Sequence, residues 1–96
     1  MENYKIYFNE IELTEPICWE FNLFGNKNNN EGKGLIIGLN ISSNMLDVFE
    51  AKDNSIIKII VNGKLISFKI KDIVFCGIRP INDRMAQVLN VLVDKI

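Results

Sequence analysis

Asn62-Gly63 restricts the fold more than any other pair in the chain. Ile57, Ile59 and Val61 alternate before it, and Leu65, Ser67 and Lys69 alternate with Ile66, Phe68 and Ile70 after it. A two-residue Asn-Gly step between alternating runs specifies a β-hairpin, because both central residues of a type I′ turn need positive φ. The run Ile56–Val61 is apolar on both faces, so its sheet is expected to be covered, by another layer of this chain or by a partner.

Similar alternation recurs upstream. Tyr4, Ile6 and Phe8 share one strand face; Asn9-Glu10 interrupts; Ile11 and Leu13 resume. This spacing suits a tight hairpin, although Glu is a poor second turn residue. Thr14-Glu15-Pro16 breaks the pattern again. From Ile17 to Phe24 the residues Ile17, Trp19, Phe21 and Leu23 take one face and Cys18, Glu20, Asn22 and Phe24 the other. Gly25–Gly34, with no apolar residue, reads as an exposed loop leading to a strand of Leu35, Ile37, Leu39 and Ile41. Ser42-Ser43-Asn44 reads as a capping cluster for a short helix from about Met45 to Lys52. Lys71-Asp72 offers a bend, and Ile73–Ile78 a further strand with Gly77 as a candidate bulge.

The tail carries two patterns. Met85, Val88, Leu89, Leu92 and Ile96 fit one helical face, with Asp83 as N-cap, and this pattern is slightly the stronger. Val88, Val91 and Val93 are β-branched, however, and Arg79–Asp83 could turn a hairpin. Ninety-six residues make one domain, 1–96. The expected class is mainly β, or α+β if the tail is helical: a small antiparallel β-barrel or sandwich of about six strands, with one short helix and a candidate C-terminal helix.

The chemistry is bounded by what is missing. The chain has no histidine, which excludes Ser-His-Asp and Cys-His nucleophile activation within it and removes the commonest zinc ligand. Cys18 and Cys76 form no CxxC motif or cluster, and the start MENYKIYFNE lacks the apolar core of a secretion signal. Both are expected to be reduced thiols in the cytoplasm, and the neighbours Val74, Phe75 and Ile78 point to burial of Cys76. No apolar run is long enough to span a bilayer. With a net charge of −1, nothing suggests a nucleic-acid partner. No cofactor is expected.

Candidate sites are correspondingly few. Gly25, Gly32 and Gly34 do not have P-loop spacing. The acids Glu10, Glu12, Glu15 and Glu20 form no recognisable catalytic set; Glu10 and Glu12, two apart, read as one solvated strand face. Asp47, Glu50 and Asp53 do not match a calcium loop. Trp19 aligns with Ile17, Phe21 and Leu23 and reads as core rather than as an interface anchor. Asn28, Asn29 and Asn30 sit at a loop tip that could order against a partner.

Charge is segregated along the chain. Residues 1–50 hold eight acids and three bases, and residues 51–96 hold four acids and eight bases. Strands of the two halves could pair within the monomer, or an acidic face with Glu10 and Glu12 could meet a basic face with Lys69 and Lys71 on another copy. The leading expectation is therefore a non-enzymatic protein-protein interaction or assembly module, working by self-assembly or on a protein partner. The wealth of Ile, Asn and Lys, whose codons are AT-rich, adds the expectation of a phage or mobile-element structural component, placed in the cytoplasm or the virion. The alternative is a small inhibitor or immunity protein that blocks a larger enzyme.

Overall fold

A computed structural model describes residues 3–24, 32–48 and 55–96. The described residues form seven strands: β1 (Tyr4–Phe8), β2 (Ile11–Leu13), β3 (Pro16–Phe24), β4 (Gly32–Asn40), β5 (Ile56–Val61), β6 (Lys64–Ile81) and β7 (Arg84–Lys95). One helical turn, α1 (Met45–Val48), follows β4. Three of the connections are two-residue turns with positive φ at both positions. Asn62-Gly63 has φ of 50° and 82°, Asn9-Glu10 has 46° and 76°, and Asn82-Asp83 has 46° and 68°. These are the signs that a type I′ turn requires, and asparagine tolerates the first of them well.

All neighbouring strands are antiparallel, in the order β2-β1-β5-β6-β7-β4-β3. The two outermost strands, β2 and β3, are consecutive in sequence, and only Thr14 and Glu15 separate them. A link this short reaches no more than about 10 Å. The sheet must therefore roll until its two edges approach at this end. Among the described residues no ladder joins β2 to β3, so the result is an open, sandwich-like roll rather than a closed barrel.

Polar side chains hold the edges at that meeting point. Asn44 Oδ1 accepts from the Thr14 backbone N–H at 2.7 Å and its Nδ2 donates to the Glu12 carbonyl at 2.9 Å. Ser42 Oγ donates to Glu15 Oε2 at 2.5 Å. The expected capping cluster thus acts differently. The Asn44 side chain ties down the β2–β3 link, and toward α1 it is its backbone carbonyl that accepts, from Val48 N–H at 3.2 Å. Residues 49–52 of the expected helix lie outside the described residues.

Inward-facing alternate residues fill the roll. Ile6, Phe8, Leu13, Ile57, Ile59 and Phe68 from one side meet Leu35, Ile37, Leu39, Leu89, Val91 and Val93 from the other. Phe21 on β3 reaches Phe68 on β6 across the interior, with ring centroids 5.0 Å apart. The long strand β6 takes part in both halves. Its first part pairs with β5 through Lys69, and its pairing with β7 runs from Phe68 to Ile81. Register shifts between Ile70 and Asp72 and between Ile73 and Phe75 leave Lys71 and Val74 as extra residues. Such bulges bend a strand and increase its twist, which lets β6 turn the corner. The candidate bulge at Gly77 is not one; Gly77 pairs regularly with Val88.

The tail is a strand, which corrects the expected C-terminal helix. β7 lies between β6 and β4, and in its first half both faces are buried. On one face Gln87, Leu89, Val91 and Val93 point to the core; on the other Ala86 and Val88 are also buried. Burial on both faces removes the period of two and leaves apolar spacings that imitate a helix. Gln87 is wholly buried and closes the end of the core. Its Nε2 donates to the carbonyls of Ile41 and Ser43 at 2.9 and 3.0 Å.

Candidate interaction surface

The residues singled out from the sequence fall in separate places. Asn28, Asn29 and Asn30 lie outside the described residues. Glu10 occupies the second position of the β1–β2 turn and not a strand face, so it does not share a face with Glu12 on β2. Lys58 Nζ meets Glu10 Oε1 at 2.5 Å, and this ammonium holds the Glu10 carboxyl below its ordinary range, first as hydrogen-bond donor and then as charge. Glu12 is opposite Tyr7, whose other neighbour is Lys58. Lys69 lies opposite Asp94, and the bulged Lys71 also reaches Asp94, at 3.9 Å. The acids near the start of the chain and the lysines of β6 are therefore not brought together. Glu10, Lys69 and Lys71 each have a neighbour of opposite sign within the monomer.

Two long strand edges are left without a ladder partner among the described residues. One is the outer edge of β3. Where β1 outruns the short β2, it faces β3 across an open groove of about 520 Å³ lined by Tyr4, Ile17, Cys18, Trp19, Glu20 and Phe21. Trp19 packs half-buried against the core there, as its alternation with Phe21 implies.

The other is the edge of β6 from Lys71 to Ile81, beyond the last residue paired with β5. Apolar side chains crowd it. Val74 is 56% exposed and Ile78 46%, and Met85, opposite Pro80, is 49% exposed. Proline here fits an unpaired edge, since it has no N–H to donate to a further strand. Arg79 lies over the Phe75 ring, 5.0 Å from its centroid.

Cys76 lies on this same edge and is exposed, correcting the expected burial. Its apolar neighbours suggested a core strand, but this part of β6 has a strand on one side only. Partial desolvation raises its thiol pKa above the ordinary value, which leaves less thiolate near neutrality. Cys18 is half-buried and both thiols are free. Among the described residues no group of three or more Cys, Asp or Glu is placed to hold a metal ion, and no helix is long and apolar enough to cross a membrane.

The free β6 edge escaped the sequence because nothing in a single run of residues says where its neighbour strand ends. The break in alternation at Lys71–Val74 was its one visible trace. Comparison with protein-family models, with curated proteins and with solved structures finds no match for this chain.

Proposed function

We propose that this chain is a non-enzymatic protein-protein interaction or assembly module that associates through a strand edge. The observation that carries this reading is the edge of β6 from Lys71 to Ile81, which has no ladder partner among the described residues and bears the exposed Val74, Cys76 and Ile78. Long edges bearing apolar side chains offer a row of free N–H and C=O groups to another strand, and monomeric proteins usually blunt them with charge, with short strands or with a cover. Lys71 and Asp72 blunt one end of this edge and Arg79 and Pro80 the other, and the stretch between them, Ile73 to Ile78, carries no charge. Edge pairing adds backbone hydrogen bonds to apolar contact, a recurring way for proteins to recognise one another.

Sedimentation over a concentration series tests the reading. Association is expected in the micromolar range. A sedimentation coefficient that stays at the monomer value up to millimolar protein refutes self-assembly and leaves the inhibitor alternative ahead.

A further inference from the structure

Resting on the assembly reading, the β6 edge also indicates its own partner, because its sequence is complementary to itself. Val74 has no opposite residue on β7, so the alternation of faces continues as though it were absent. Asp72, Phe75, Gly77 and Arg79 share the outer face, opposite Leu92, Asn90, Val88 and Ala86. Ile73, Cys76 and Ile78 share the inner side, opposite Val91, Leu89 and Gln87.

We propose that two copies of the chain pair antiparallel along this edge, about a two-fold axis at Cys76. An axis perpendicular to the sheet keeps each face on its own side, so the interface repeats itself symmetrically. Asp72 then stands opposite the partner's Arg79, and Arg79 opposite the partner's Asp72. Ile73 meets the partner's Ile78, also twice. Each Phe75 stands opposite the partner's Gly77; within its own strand the Phe75 ring already lies over Gly77, 3.0 Å from where a Cβ would be. Cys76 faces its own counterpart.

Charge selects this register over its neighbours. A slip by one position sets inner against outer side chains. A slip by two sets Asp72 against Gly77 or Ile81 and loses both ion pairs. Within the monomer neither Asp72 nor Arg79 has an ionic partner among the described residues. Asp72 Oδ1 accepts from the Ile73 N–H at 2.9 Å, and the Phe75 ring holds Arg79 on the outer face. Val74, bulged and exposed, lies beside the axis as additional apolar cover.

The test joins oxidation to charge reversal, both on the full chain. Directly opposed residues in an antiparallel pair have Cα atoms about 4.5–5.5 Å apart, within the roughly 4.4–6.8 Å that a disulfide spans. With diamide at mildly alkaline pH, two Cys76 S–H bonds break and one S–S bond forms. Diamide takes up the two electrons and two protons and becomes the hydrazine. A covalent dimer is expected from the parent and from Cys18→Ser, and none from Cys76→Ser.

Asp72→Arg should weaken the non-covalent dimer about tenfold or more, since it replaces two attractive pairs with two repulsive ones. Adding Arg79→Asp should return the Kd to within about threefold of the parent. Asp72, Cys76 and Arg79 are exposed and Cys18 is half-buried, and an unchanged melting temperature verifies that each variant is folded. A dimer that is indifferent to Asp72→Arg and gives no Cys76 cross-link overturns this interface while leaving assembly standing. Weakening without rescue overturns the register. A monomer at every concentration overturns both.

Discussion

Gly38 provides the sharpest test of how the roll is packed. It sits on β4 opposite Cys18 and Val88, on the face away from the core. A Cβ built there would lie 2.7 Å from Ile81 Cδ1 and 2.8 Å from Cys18 Sγ. Apolar atoms normally approach to about 3.5–4.0 Å, so one or both side chains must retreat by about 1 Å. Overpacking of this kind costs about 1–3 kcal/mol. Gly38 has no positive φ, so alanine also gains about 0.5–1 kcal/mol over glycine in a strand. Gly38→Ala should therefore destabilise the parent by about 1 kcal/mol, the difference between the midpoints of those two effects. Removing both obstructing atoms, with Cys18→Ala and Ile81→Val, should reverse its sign. In that background Gly38→Ala is expected to be neutral or to stabilise by up to about 1 kcal/mol. Urea unfolding of the four variants measures the difference. Equal effects in the two backgrounds would refute the packing of Ile81 and Cys18 over Gly38 on which the reasoning depends.

Other perturbations address the turns and the buried amide. Gly63→Val places a β-branched residue at φ 82° and should cost about 1–2 kcal/mol in chemical denaturation. Glu10→Gly should act in the opposite sense, stabilising by about 1 kcal/mol, because Glu10 is held at φ 76° and its exposed ion pair with Lys58 is worth little; a lower urea midpoint would sink this. Gln87→Leu orphans the carbonyls of Ile41 and Ser43 while removing the unpartnered Gln87 Oε1, for a net loss of about 2 kcal/mol. A variant as stable as the parent would show that the amide is dispensable. The Glu10 carboxyl, whose folded pKa is depressed by Lys58, favours the folded state above the ordinary glutamate value, and this contribution fades as pH falls through the lowered one. Carboxyl NMR titration should find the depression gone in Lys58→Met.

Local features of the fold were decided by the sequence itself. The two-residue turns at Asn9-Glu10 and Asn62-Gly63, the strand faces around Ile6, Trp19 and Ile59, and the mainly β class follow from period-two alternation and turn chemistry. Both act over a few neighbouring residues and need no knowledge of the rest of the chain. What depends on distant contacts was decided by the tertiary structure. The tail could be read as helix or strand until the structure placed β7 between β4 and β6 with Ala86 and Val88 buried on one face and Leu89, Val91 and Val93 on the other, which accounts for its apolar spacing. Asn44 could cap a helix or bind elsewhere, and the nearness of Thr14, thirty residues away, settled its choice. Cys76 and Ile78 look like core residues along the chain; they are exposed because β5 stops pairing at Lys69 while β6 continues to Ile81. A strand's sequence sets which side chains share a face, but whether that face or edge is covered depends on where the neighbouring strands end.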